Sequence, residues 1–174
     1  MGSVTALFTR SRLPIGQLIC WGLSEPVSHC GFRLSFGDGC AVVVHSAFHG
    51  LEIVPDTEFL STRELVYEVT TDLTTQEILA DVRREYAAPY DYGAFAYWVI
   101  RTTMTKLFGA PKLKRNLWGS SHAFLCSEYL ASRLISDGEP VLYSPYDVLC
   151  LLTQAGQTVL QGPGQIDSIP GAES

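Results

Sequence analysis

The sequence predicts a single domain of the α+β class, and three observations carry this prediction. Residues 28–47 hold two apolar segments that flank a Gly-Asp-Gly turn, a pattern typical of an antiparallel hairpin. Residues 74–89 begin with a capping-box pattern and continue with apolar residues at helical spacing. Residues 123–136 form a second apolar run with a glycine just beyond it. A chain of 174 residues is long enough to bury a sizeable core.

Two segments precede the hairpin. Residues 1–14 show no sustained periodicity, so the sequence predicts an irregular start that ends at Pro14. Residues 16–23 (GQLICWGL) form a short apolar run after a glycine, and the sequence predicts a strand here.

The hairpin itself carries two histidines. Its first strand, predicted over 28–36, alternates so that His29 and Cys30 face opposite sides of the sheet. Its second strand is predicted over 40–47. His29 lies near the start of the first strand and His45 near the end of the second, so the sequence predicts that both lie at the same end of the hairpin.

The rest of the chain supplies further strands, helices and a tail. Strands are predicted at 50–55 and 64–70, and helices at 74–89, 90–108, 123–136 and 144–152, with a loop at 109–121. We expect a single domain over 1–161, followed by a flexible Gly/Pro/Ser-rich tail over 162–174.

Composition excludes several classes of partner. The net charge of −6 argues against nucleic acid as the main partner. Residues 101–115 are the exception, because they hold five basic and no acidic residues; they are either a solvated loop or a contact for an anionic surface. No apolar run approaches the roughly 20 residues of a membrane span, and no secretory signal is evident. We therefore expect a cytoplasmic protein.

The cysteines do not form a disulfide framework. There are five of them, widely spaced and without a C-x-x-C motif, so reduced thiols are expected. His29, Cys30, Cys40 and His45 are residue types that bind zinc, but their spacing matches no common zinc template. We expect no metal and no organic cofactor.

Cys126, Ser127 and Glu128 stand together inside an otherwise apolar run, near the start of a predicted helix. Two interpretations are purely structural. Cys126 can be a buried thiol that acts as a small apolar side chain, and Ser127 and Glu128 can be first-turn residues favoured by the helix dipole. The third interpretation is nucleophilic catalysis, because a helix N-terminus favours the thiolate and a neighbouring imidazole takes the proton. His29 and His45 are then the candidate imidazoles, with His122 as the reserve base.

Several segments together resemble one family. The segments LPIGQLI (13–19), SHCGFRL (28–34), VVVHSAFHGLEIVP (42–55), APYDYGAF (88–95), LCSEYLASRL (125–134) and SPYDVL (144–149) occur in the order found in circularly permuted papain-like enzymes. The chain resembles the YiiX-like branch of the NlpC-type cysteine peptidase superfamily, which is related to the lecithin:retinol acyltransferases. The resemblance covers roughly residues 13–152, and Gln17 stands where the family usually has an acid.

The resemblance implies a permuted papain-like fold, with a small antiparallel sheet or half-barrel packed on the helix that bears the nucleophile. It implies that Cys126 is the nucleophile, His29 the base and His45 the third polar residue. Ser127 and Glu128 would support the site at the helix start, and Tyr90 would line the cleft. The family's first strand would correspond to 13–19.

The resemblance also sets the functional expectations. The first is a cysteine hydrolase that cleaves an amide in a peptide or a peptidoglycan stem peptide, through an acyl-enzyme. An acyltransferase or lipid esterase is the alternative, favoured by the histidine at the third position and by the apolar segment 94–100. A non-catalytic interaction module or a phage virion-structural module is the third. The family occurs in bacteria and phages, so a virion location is the alternative to the cytoplasm.

Overall fold

A computed structural model describes residues 2–47, 50–85, 91–109, 126–135 and 143–162. The fold in these residues is α+β and is built on one antiparallel sheet of six strands in the order β4-β3-β2-β1-β5-β6. The strands are β1 (Ser3–Ser11), β2 (His29–Ser35), β3 (Ala41–Ala47), β4 (Gly50–Pro55), β5 (Arg63–Thr70) and β6 (Val159–Gln161). The helices are α1 (Pro14–Leu23), α2 (Asp56–Ser61), α3 (Thr75–Glu85), α4 (Tyr92–Phe108), α5 (Cys126–Leu134) and α6 (Pro145–Gln154).

The two faces of the sheet bury very different amounts of apolar surface. One face packs against α3, α5 and α6 in a large core, to which β2 contributes Cys30, Phe32 and Leu34. The other face carries a small cluster of Leu7, Val43 and Phe59. Phe59 belongs to the short helix α2, so this helix covers the face on which His29 and Arg33 lie.

Most predicted elements are confirmed. The hairpin forms as β2 and β3, and the strands at 50–55 and 64–70 appear as β4 and β5. The capping box at the start of α3 is present, because Glu77 accepts from the Thr74 backbone N–H at 2.7 Å and the Thr74 hydroxyl accepts from the Glu77 N–H at 3.3 Å. Helix α6 also begins with a capping box, between Ser144 and Asp147.

Two predictions at the N-terminus are wrong. The predicted strand at 16–23 is a helix, α1, with Pro14 in its first turn and Ser24 in the left-handed region (φ 59°) at its end. The strand that the resemblance implies for 13–19 is wrong for the same reason. A short apolar run fits a buried strand or a helix equally well, and here the proline start and left-handed stop decide for the helix.

The predicted irregular start is wrong as well, because residues 3–11 form the central strand β1. It pairs with β2 on one side and β5 on the other. Ala6, Leu7 and Phe8 are all fully buried, so the strand is covered on both faces. A strand buried on both faces shows no alternation of apolar and polar residues, which is why its sequence carries no period-2 signal.

Several predicted segments lie outside the described residues. These are the loop at 110–121, the helix caps proposed at Ser120, Ser121 and Gly138, and the tail from 163 onward. Among the described helices, none has both the length and the apolar character needed to cross a bilayer.

Candidate active site around Cys126

The two histidines of the hairpin meet at its open end. The His29 Nε2 atom lies 3.1 Å from the His45 Nδ1 atom, within hydrogen-bond distance. The two rings are edge-to-face, with their centroids 5.1 Å apart. His29 is half-buried, whereas His45 is only 3% exposed. The prediction that both histidines lie at one end of the hairpin is confirmed.

His29 is held at the start of β2 by its neighbours on β1. The His29 carbonyl accepts from the Thr9 hydroxyl at 3.3 Å, and the Ser28 N–H donates to the Thr9 carbonyl at 2.9 Å. The Ser28 hydroxyl in turn accepts from the Ser11 N–H at 3.0 Å. These contacts fix the backbone on both sides of His29, so the ring starts from a rigid position.

His45 approaches β2 closely because of Gly31. A β-carbon at Gly31 would lie 2.9 Å from the Val44 carbonyl oxygen and 3.0 Å from the His45 Cβ atom. Only a residue without a side chain leaves that space. On its other side, β3 is anchored by β4, where His45 pairs with Glu52.

The ladder between β2 and β3 ends just before the histidines. Its last described pair is Phe32 with Val44, so Cys30 has no ladder partner on β3. The N-terminus of α5 lies against this gap. The Cys126 thiol interacts there with the Cys30 thiol, with the His29 ring and with the Cys30 backbone N–H. Because β3 leaves that N–H unpaired, it is free to point at the sulfur of Cys126.

The surroundings favour the thiolate form of Cys126. Its pKa is held well below that of an ordinary thiol by the hydrogen bond from the Cys30 thiol, by the charge and hydrogen bond of His29, and by the Cys30 N–H; burial opposes this shift. Burial and the neighbouring Cys126 sulfur raise the pKa of Cys30. Within this pair of buried thiols, the surroundings favour negative charge on Cys126, to which the Cys30 thiol donates.

His45 stays neutral over the physiological range. Burial is the main cause, and the charges of His29 and Arg63 add to it, so that the pKa of His45 falls to about 3. A neutral imidazole that carries its proton on Nε2 presents the Nδ1 lone pair to His29. It can then accept a hydrogen bond from His29 Nε2–H when His29 is protonated.

Phe59 and Arg63 complete the described surroundings. The Phe59 ring centroid lies 4.9 Å from that of His45 and 5.9 Å from that of His29. The Arg63 guanidinium lies over the Phe59 ring, 4.5 Å from its centroid. Burial lowers the pKa of Arg63, while the Cys126 and Glu52 charges raise it. The site thus has an apolar wall formed by Phe59 and a cation just beyond it.

The structure brings together three of the predicted site residues, Cys126, His29 and His45. Ser127 follows in the first turn of α5 and is 3% exposed, and Glu128 is half-buried beside it. Tyr90 and the reserve base His122 lie outside the described residues. His49, which lies between β3 and β4 in the sequence, is also outside the described residues.

Sequence reasoning missed three participants: Cys30, Phe59 and Arg63. The alternation predicted that Cys30 faces the side of the sheet opposite His29, which is confirmed, but its contact with Cys126 depends on where α5 begins. Phe59 and Arg63 carry no local signal, because they reach the histidines from a separate helix and strand. All five cysteines of the chain are free thiols, as their spacing predicted.

A comparison of the sequence with protein-family models and with curated proteins finds no match in either.

Proposed function

We propose that the chain is a cysteine hydrolase of the permuted papain-like type, which cleaves an amide bond in a peptide or a peptidoglycan stem peptide. The observation that carries the proposal is the relay formed by Cys126, His29 and His45. It consists of a thiol at a helix N-terminus, an imidazole beside it, and a neutral second imidazole 3.1 Å from the first.

The first half of the reaction forms the acyl-enzyme. The Cys126 thiolate attacks the amide carbonyl carbon, and a C–S bond forms as the carbonyl oxygen becomes an oxyanion. The first backbone N–H groups of α5 lack partners within the helix, so those of Cys126 and Ser127 are positioned to bind this oxyanion. Protonated His29 then donates its proton to the amide nitrogen, and the C–N bond breaks to release the amine.

The second half consumes water. Neutral His29 takes a proton from a water molecule, which attacks the thioester carbonyl. The C–S bond breaks, and the Cys126 thiolate and the carboxylic acid are released. Throughout, His45 accepts from His29 Nε2–H and so holds the other nitrogen, Nδ1, toward the sulfur.

Thiol reactivity tests the proposal first. Iodoacetamide labelling across pH, mapped by mass spectrometry, is expected to modify Cys126 preferentially at pH 6. Cys20 and Cys150 are controls within the same chain, because burial raises the pKa of both thiols. Equal and slow labelling of Cys126 and these controls at pH 6 would favour a non-catalytic module on the same fold.

Turnover tests the reaction itself. Purified peptidoglycan and synthetic stem peptides are incubated with the wild type and with Cys126→Ser, and release of new amino groups is measured. The variant is expected to lose about 10³-fold or more of the rate. Unchanged activity in the Cys126→Ser variant would contradict the assignment of Cys126 as the nucleophile.

The acyltransferase or lipid esterase alternative is favoured by one observation, the histidine rather than a carboxylate or amide beside His29. It is tested in parallel with phospholipid vesicles as the substrate. Transient acylation of Cys126 by a phospholipid, seen as a mass increase of one fatty acyl group, without release of amino groups from stem peptides, would replace the peptidase proposal by this one.

A further inference from the structure

Helix α4 carries an apolar stripe that the rest of the described structure leaves in contact with solvent. Ile100, Met104, Leu107 and Phe108 are 49%, 42%, 70% and 72% exposed. They follow one another at i, i+4, i+7 and i+8, which is the spacing of a single helix face. Scattered single apolar residues on a surface are ordinary, but a stripe of four large ones on one helix face marks a binding surface.

The neighbouring helix α1 adds to this surface. It contacts α4, and its Leu18 and Trp21, which are one turn apart, are 62% and 75% exposed. Tryptophan is the side chain most favoured where one end of a ring is apolar and the other meets water. We refer to the exposed apolar residues of α1 and α4 as the α1–α4 surface.

Charge decides which partner fits the α1–α4 surface. Helix α4 contains no acidic residue, and residues 101–115 hold five basic ones, in a chain whose net charge is −6. The basic residues therefore form a local cationic segment that begins inside the helix bearing the apolar stripe. A second copy docked through the same surface would bring two α4 helices together, each with Arg101 and Lys106 and no acidic residue, and their like charges would repel. An anionic lipid bilayer satisfies both features, because it takes apolar side chains at its surface and attracts cations.

We propose that the α1–α4 surface docks the protein on anionic lipid bilayers. The apolar stripe of α4 enters the boundary between headgroups and acyl chains, with the helix axis lying along the membrane. Arg101 and Lys106 belong to the same helix, and their positive charge favours anionic headgroups. This surface does not include Cys126, His29 or His45, so its role is independent of the reaction proposed above.

Vesicle sedimentation tests the docking. The full chain is mixed with phosphatidylcholine vesicles, with or without about 30% phosphatidylglycerol, in about 50 mM and about 500 mM NaCl. The protein is expected to sediment with the anionic vesicles at low salt, at least about tenfold more strongly than with the neutral ones. High salt is expected to weaken the binding, because it screens the headgroup charge.

Two sets of variants separate the apolar and the charged contributions. Leu107→Ser with Phe108→Ser is expected to lower the binding at least about tenfold, and Met104→Gln alone to lower it less. Arg101→Gln with Lys106→Gln, both in α4, is expected to lower binding to anionic vesicles about tenfold and to flatten its salt dependence. Leu160→Ser is the matched control, because Leu160 is 57% exposed but lies on β6.

The outcomes divide clearly. Equal binding to neutral and anionic vesicles, or an equal loss in Leu160→Ser, overturns the proposal. Absence of vesicle binding, together with a concentration-dependent dimer that Leu107→Ser with Phe108→Ser abolishes, replaces the lipid surface by a second copy of the chain. Circular dichroism of each variant confirms that it is folded, and Met104→Gln keeps the test decisive should the double variant unfold.

Discussion

Strand β2 carries a basic side chain at each of two positions on the same face, Arg33 and His29, and their surroundings differ completely. Arg33 lies where the ladder with β3 is intact, opposite Val43. His29 lies beyond the last pair of that ladder. The comparison shows how one strand supplies a structural ion cluster at one end and a chemically available cluster at the other.

At the Arg33 end every charge is satisfied. The guanidinium contacts Asp56 at 2.8 Å and Glu68 at 2.9 Å, and Glu68 also accepts from the Thr5 hydroxyl at 2.8 Å. These groups link α2, β2, β5 and β1 across the face of the sheet. These charge-assisted hydrogen bonds tie elements of the fold together, so the role of the cluster is structural.

At the His29 end the interactions are those of a proton relay. The ring has one nitrogen engaged by His45 and a thiol as its other neighbour, with no carboxylate contact among the described residues. The ladder between β2 and β3 ends before Cys30, so the Cys30 N–H has no partner on β3. The end of the ladder thus provides a donor that a thiolate requires.

The largest effect on stability is expected at the Arg33 end of β2, where the ladder with β3 is intact. Arg33→Ala leaves the carboxylates of Asp56 and Glu68, both about a fifth exposed, without their counter-charge. We expect a loss of about 3 kcal/mol in the free energy of unfolding, measured by urea titration. Arg84→Ala is the control, because Arg84 is 61% exposed in its ion pairs and is expected to change stability little. An equal loss in both variants would contradict the structural role of Arg33.

At the His29 end of β2, a large effect is expected on the reactivity of the Cys126 thiol. In His29→Ala, Cys126 loses both the charge and the hydrogen bond of the imidazole. An unperturbed thiol is only roughly 0.3% ionised at pH 6. We therefore expect labelling of Cys126 by iodoacetamide at pH 6 to fall about 100-fold, while the free energy of unfolding changes by less than about 1 kcal/mol. Unchanged labelling would show that His29 does not lower the pKa of the Cys126 thiol.

The neutral state of His45 gives stability a pH dependence. Because the folded-state pKa of about 3 lies below the unfolded value near 6.5, the unfolded chain binds more protons between these values. The contribution is therefore present above about pH 6.5 and is lost as the pH falls toward 3. Between pH 7 and pH 5 the wild type is expected to lose about 2 kcal/mol more than His45→Gln, measured by urea titration at each pH. Parallel pH profiles would contradict a neutral buried His45.

A smaller effect is expected from Gly31→Ala. The added methyl group would press on the Val44 carbonyl and on His45, so β3 must move away from β2. We expect a loss of about 1–2 kcal/mol in stability, together with slower labelling of Cys126 at pH 6 because His29 loses its support. Gly37→Ala is the control, because nothing lies within 4 Å of the added atom. Reduced stability with unchanged labelling would show that His45 does not orient His29.

The smallest change concerns Cys30. Its thiol is the main group that lowers the pKa of Cys126, so Cys30→Ala is expected to raise the pH at which labelling of Cys126 is half-maximal. The direction of the shift is the test, with fold and stability nearly retained because the side chain is small. A downward shift would mean that Cys30 competes with Cys126 for the negative charge rather than stabilising it.

The sequence by itself determined those features that depend on local pattern. The alternation in 28–36, the Gly-Asp-Gly turn and the two histidines near the strand ends predicted both the hairpin and the end at which His29 and His45 meet. The Thr74–Glu77 box predicted α3. The CSE motif predicted a thiol at a helix start. Each of these signals comes from residues only a few positions apart, or from two strands joined by one tight turn.

Only the tertiary structure decided the rest. Strand β1, buried on both faces, has no alternation to read, and α1 has an apolar run that fits either a strand or a helix. The contact of Cys126 with Cys30, and the arrival of Phe59 and Arg63 beside the histidines, join positions that are far apart in the chain. Such contacts depend on where the ladder between β2 and β3 ends and on which helix packs beside that end. Both are decided by packing across the whole sheet, and no local stretch of residues encodes them.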